Sequence, residues 1–395
     1  MSLSANVGSV SGRAFYRWHV VAVFAVYLAG ASPAEAIAVP LRSDKFIGAA
    51  GCKSSSCHGG AGEKRSQYLT WVKQDFHSRA YAVLVNARSA RMAETLALPA
   101  AQTSARCTVC HSPLQSVAPS RLTKTAQPDE GVSCENCHGA AGQWLRGHTR
   151  RDWTFATCVG AGMRDLRNFY VRANTCVACH QNLDADLLAA GHPELTFELD
   201  GQSVAEPKHW RDEDPWSGPR AWLVGQAVAL REMSWALTKT DTPDLEATAR
   251  WHALVWLLAK STAQVTPSLP VITLPDGMVN HELFANLQGQ ADRLARQAAT
   301  IAWTEQLTIN VLRALVAPDS VFTAPTAAPE TLFPRAQGLV LALDRLVRAS
   351  EDRAGTAARS ALAVLFEDVR ARPDFQPSKF AADLASFRAT IERGP

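Results

Sequence analysis

Two cysteines and an adjoining histidine recur four times in this chain. The clusters are Cys52-Lys53-Ser54-Ser55-Ser56-Cys57-His58, Cys107-Thr108-Val109-Cys110-His111, Cys134-Glu135-Asn136-Cys137-His138 and Cys176-Val177-Ala178-Cys179-His180. The last three have the spacing C-x-x-C-H, the attachment signature of a c-type haem. Two thiols one turn apart add across the two porphyrin vinyl groups, and the next residue projects beneath the ring to bind iron through its imidazole. Zinc has no need of a histidine after every second cysteine, and adjacent cysteine pairs make poor long-range disulfides. The first cluster holds four residues between its cysteines, so its loop must bulge. It keeps the adjacent histidine, and Gly59-Gly60 follows to let backbone come close, so it is read as a haem site too. Eight of the nine cysteines are thereby used, and the expected cofactor is four covalently bound haem c. Cys158 is left as a buried thiol with no assigned role.

Each iron must fill its sixth position or leave it open. His58, His111, His138 and His180 are the proximal candidates, and His77, His148, His192 and His209 lie spare in the same half of the chain. His77 falls on a face with Thr70, Tyr81 and Leu84 if residues 67–84 are helical; it is either a packed histidine or a ligand, and the ligand reading is favoured. His148 stands in a basic run, where the plain alternative is a solvated side chain. Gly191-His192-Pro193 and Lys208-His209-Trp210 both brace a histidine between residues that restrict the backbone. Four irons and four spare histidines point to ligation by two histidines at every iron, which closes the metal to substrate and suits electron transfer. One open iron would instead suit an oxidoreductase acting on a small nitrogen or sulfur species. Met163 is a poorer ligand candidate than these histidines, and His252 and His281 read as structural.

The N-terminus has the form of an export signal: Arg13 and Arg17, an apolar run from Val20 to Ala31, then Ala34-Glu35-Ala36 as a cleavage site. A cleaved signal over residues 1–36 implies a periplasmic protein, with membrane contact only if that segment is retained. Export agrees with haem attachment, which is completed outside the cytoplasm. The formal charge is +3. Loss of the signal removes two arginines and one glutamate, and roughly eight haem propionates would carry the mature protein to about −6. A nucleic-acid partner is excluded on that balance, whereas redox proteins with a basic patch suit it. Near Pro215 the cysteines end and amphipathic helical stripes begin, such as Leu223, Ala227, Leu230, Ser234 and Leu237, or Phe380, Leu384, Phe387 and Ile391. The expected architecture is mainly α with extensive loops: a tetrahaem domain over residues 37–215, then an α-helical domain over 216–395. The helical half could also dock the chain into a larger respiratory complex.

The stretches Gly51-Cys52 through Gly60, Trp71 through Leu84 with Asp75-Phe76-His77, and Gly131-Val132-Ser133-Cys134 through His148 resemble the cytochrome c-554 family. The likeness continues through Gly162-Met163-Arg164-Asp165-Leu166 and the fourth cluster to Ala190-Gly191-His192-Pro193-Glu194-Leu195, Phe197-Glu198-Leu199 and Pro207-Lys208-His209-Trp210. It implies closely stacked haems with His77, His148, His192 and His209 as distal ligands. The long spacer of the first cluster departs from the pattern, and the helical half gains nothing specific from it.

Overall fold

A computed structural model of the chain describes residues 44–393, apart from residues 211, 213, 241–244, 264, 266–268, 274–278, 324–328 and 371. The expected export signal over residues 1–36 lies outside the described residues. The fold is mainly α-helical, as expected, and the only strand-like pairing among the described residues is an isolated bridge between Phe46 and Leu122.

The cysteine-bearing half is built of short helices joined by long loops: α1 (Gln67–Gln74), α2 (Ala87–Thr95), α3 (Ala105–His111), α4 (Cys134–His138), α5 (Phe155–Gly160), α6 (Phe169–His180), α7 (Ala185–Ala189) and α8 (Leu199–Ala205). The expected helix over residues 67–84 is broken. Asp75 takes an extended conformation, ends α1 and accepts a hydrogen bond from the His77 N–H, so 3-10 turns follow at Phe76–Arg79 and Ala82–Val85. An aspartate whose carboxylate reaches the backbone two residues on offers the chain a turn in place of the helix ladder.

From Ser217 the helices lengthen: α9 (Ser217–Leu237), α10 (Leu245–Thr262), α11 (His281–Ala298), α12 (Glu305–Val316), α13 (Pro329–Ala349), α14 (Glu351–Asp368) and α15 (Pro377–Glu392). Residues 221–230 of α9 are all buried, so the stripe expected on one face is part of a helix enclosed on every side, the position of a helix apolar all round. It packs against α6 and α8 on the cysteine-bearing side and against α10, α11 and α13 on the other. Trp222, Trp251, Phe284, Phe380 and Phe387 are fully buried in this core, and the Trp251 indole N–H donates to Ser234 Oγ at 2.9 Å. His252 lies on α10 beside Trp251, where burial lowers its pKa, and His281 opens α11. Cys158 is buried in α5. Among the described residues no helix is long and apolar enough to cross a membrane.

Candidate haem sites

Three clusters sit on helix turns. Cys107–His111 ends α3, Cys134–His138 is α4, and Cys176–His180 ends α6. On a helix, residues i and i+3 share a face and the N–H of residue i+4 bonds the carbonyl of residue i. The first cluster reaches the same end by another route. Its extra residues form a small loop in which Cys57 N–H and Gly59 N–H donate to Ser54 O at 2.9 and 3.0 Å, while His58 N–H donates to Cys52 O at 3.2 Å. The histidine is thereby returned to the carbonyl of its own first cysteine, the bond that a regular C-x-x-C-H makes, with two residues looped out. The following glycines serve that loop: a Cβ on Gly59 would lie 1.8 Å from Lys53 O, and one on Gly60 2.2 Å from Ser55 O.

The eight candidate histidines come together as four pairs, each one proximal and one distal. Ring centres are 6.1 Å apart for His58 and His148, 6.0 Å for His180 and His77, 6.3 Å for His111 and His192, and 6.4 Å for His138 and His209. A metal bound between two imidazoles through nitrogens sets this spacing: two bonds of about 2.0 Å, and about 1.1 Å more from each nitrogen to its ring centre, give about 6.2 Å.

Six of these rings are also oriented through Nδ1. His58 Nδ1 lies 3.0 Å from Gln67 Oε1, His77 Nδ1 3.0 Å from Asp75 Oδ1, and His111 Nδ1 3.0 Å from Ala80 O. His148 Nδ1 lies 2.6 Å from Leu145 O, His192 Nδ1 2.8 Å from Pro193 O, and His209 Nδ1 3.4 Å from Pro207 O. These oxygens accept, so Nδ1 carries the hydrogen and Nε2 is left with a free lone pair, the tautomer that a metal needs. Burial lowers the pKa of His111 and His180 and pushes His138 down to about 4, which keeps these imidazoles neutral. His77 moves the other way, because the Asp75 carboxylate holds its Nδ1–H.

Residues 51–139, which carry the first three clusters and His77, match the model of the family described as cytochrome c554 and c-prime. The likeness is confined to this stretch, and it suggests a c-type cytochrome with covalently bound haem and a part in electron transfer. The fourth cluster, His148, His192 and His209 lie beyond the matched residues. No curated protein and no solved structure matches the chain.

The packing of the cytochrome half fits the cofactor. Its own buried apolar cluster consists of Leu84, Ala93 and Ala101, with Tyr81, Leu98 and Cys107 against it, while Phe76, Val83, Val85 and Val109 near the clusters are exposed. A segment of this size with so little core needs another apolar body to pack around, and a porphyrin supplies one.

Residues that sequence reasoning passed over hold the clusters in place. Glu135, 1% exposed inside the third cluster, accepts from Ile47 N–H at 2.9 Å, Gly48 N–H at 2.7 Å and Ala141 N–H at 2.6 Å. Burial nonetheless raises its pKa. Asn136 and Ser133 form a capping box on α4. Trp71 donates to Val132 O at 3.0 Å, and Val132 N–H to His77 O at 3.0 Å, which ties the third cluster to the His77 turn. Gly131, at φ +78°, makes that approach possible, since a Cβ there would meet His77 O at 2.6 Å. The Glu135 signal was a charged residue between two attachment cysteines. Nothing in the sequence points to its partners.

Proposed function

We propose that the chain is an exported four-haem electron carrier, with haem c attached at Cys52/Cys57, Cys107/Cys110, Cys134/Cys137 and Cys176/Cys179. His58, His111, His138 and His180 are then the proximal ligands, paired with His148, His192, His209 and His77 respectively. The observation that carries this reading is the set of four proximal–distal pairs at one metal-bridging separation. Bound haem iron supplies a one-electron couple, and imidazoles on both faces leave it no open position for a substrate. The pairing thus favours a carrier over an oxidoreductase.

The attachment cysteines also suggest an order. The Cys52 thiol lies beside that of Cys134, and His58 lies close enough to His138 to lower its pKa. Cys137 adjoins Cys176, and the Cys110 thiol lies beside that of Cys179. The sites therefore run first, third, fourth, second, with the first and second at the ends. Cys57 is the exposed cysteine among the eight, which suits an end where a partner approaches. Redox proteins in the periplasm, bearing basic patches toward the propionate-rich surface, are the expected donor and acceptor.

The test is carbon monoxide added to the reduced protein, with haem counted by mass and by its pyridine complex. Four haems and an unchanged spectrum are expected. A carbon monoxide-sensitive haem would remove the closed-iron reading, and fewer than four attached haems would remove the count.

A further inference from the structure

The two distal candidates His192 and His209 lie on one strap, residues 190–210, which reaches Asp75 and His77 through Glu206 and is anchored to the helical half by ion pairs, a hydrogen bond and buried side chains. Glu194, two residues after His192, forms an ion pair with Arg250 of α10. The Gln226 amide of α9 donates to Glu198 Oε1 at 2.9 Å. Asp200 Oδ2 meets Arg345 Nε of α13 at 2.5 Å, with Asp200 3% exposed. Phe197 and Leu199 are buried in the core of the long helices, and Gly225 of α9 lets Leu199 in so closely that a Cβ there would lie 2.7 Å from Leu199 Cβ. From the cytochrome side, Arg88 donates to Gly191 O at 2.5 Å.

These anchors are buried ones. Glu198 Oε2 and both carboxylate oxygens of Asp200 have no side-chain hydrogen-bond partner among the described residues, so the charge of Arg345 beside Asp200 and the Gln226 amide on Glu198 are what compensates two carboxyl groups held away from water. A buried acid that loses its partner is strongly penalised, and lifting α8 out of its seat would relieve that penalty. Both distal imidazoles are on the strap that would then move. His77 and His148 are not, because His77 is fixed by Asp75 and Val132, and His148 by Leu145.

We propose that Arg345 and Gln226 are positioning residues for distal ligation, and that the long-helix half acts as the clamp keeping His192 and His209 over the second and third haem sites. This rests on the four-pair reading above. The helical half is then a component of the redox centre, although it carries no haem-attachment motif.

Full-length holoprotein carrying Arg345→Met, and separately Gln226→Leu, tests it against wild type, Arg345→Lys and Lys379→Met. Lys379 pairs with Asp368 and Asp383 in the same half without touching the strap, so Lys379→Met controls for general loosening. Wild type and Lys379→Met should attach four haems and ignore carbon monoxide. Arg345→Met and Gln226→Leu should also attach four, with one or two of the four becoming high-spin and carbon monoxide-reactive, and Arg345→Lys should restore most of the closed spectrum. Unchanged spectra in Arg345→Met and Gln226→Leu overturn the clamp, as does reactivity at three or four haems or in Lys379→Met. Should Arg345→Met fail to accumulate, the spectrum of Gln226→Leu decides. Reactivity already present in wild type would overturn the four-pair reading itself, a failure distinct from an idle Arg345.

Discussion

Glu135 puts a carboxylate between the two cysteines of the third cluster, and the structure gives the reason. Its oxygens gather the N–H groups of Ile47, Gly48 and Ala141, so the lead-in chain and the exit from the third cluster hang on one side chain. Glu135→Gln keeps the shape but turns an NH2 toward N–H donors, leaving at least one buried donor unpaired at about 1–3 kcal/mol. The expected outcome is a lower melting temperature with all attached haem retained; an unaltered melt would show that the anchor contributes nothing. The cysteines and their adjoining histidines stand out in the sequence because covalent haem attachment demands a fixed spacing, here within five or seven residues. Glu135 and Asp75 do not, because what they bind is backbone, as far as 88 residues away for Ile47, and backbone leaves no residue-type signal.

At the level of elements, amphipathic stripes located the long helices well, since burial of one face is written in side-chain type, and α15 buries the expected Phe380, Leu384 and Phe387. The helix expected over 67–84 failed because the stripe was satisfied by turns that the Asp75 carboxylate stabilises. The first cluster makes a sharper case. If Cys52 O and His58 N–H already form the bond of a regular motif, its extra length is spare. Deleting Ser55 and Ser56 should leave haem attachment at Cys52 and Cys57 intact by mass, whereas Gly59→Val, which drives a side chain into Lys53 O, should abolish it; loss of haem in the deletion would refute the looped-out geometry. The seat of α8 has its own signature. Burial pushes Glu198 up to about 8 and Asp200 up to about 6, the latter against the pull of Arg345, with Asp344 adding like charge and the Gln226 amide facing Glu198. Unfolded carboxyls titrate near about 4, so the folded form holds extra protons between these values. Stability contributed here is present at low pH and lost as pH rises from about 4 to about 8. Melting curves should therefore fall between pH 5 and 8.5, and Glu198→Gln should flatten that slope; an equal slope in both proteins would refute the assignment.

Across the whole molecule the apolar core is divided unequally. Nearly all of it lies among α9 to α15, with Phe169, Ala173 and Val177 of α6 and Phe197 and Leu199 of the strap packed onto its edge. The cytochrome half upstream has its three-residue cluster and its hydrogen bonds to cluster residues, which fix local geometry without removing much apolar surface from water. Burial is the dominant favourable contribution to folding, so the two halves must respond differently to loss of cofactor. This division was only half legible in the sequence: stripes announced the long helices, but the small extent of the core upstream is a property of the packed chain. Protein produced without haem maturation should keep the helical signal of α9 to α15, while limited proteolysis cuts freely upstream of Phe169 and spares residues 217–237 and 245–262. The haem-loaded protein should resist cleavage throughout the described cytochrome half. If haem-free material were protected equally in both halves, apolar packing by porphyrin would not be what holds residues 44–168 together, and the hydrogen bonds of Glu135, Trp71 and Val132 would have to suffice.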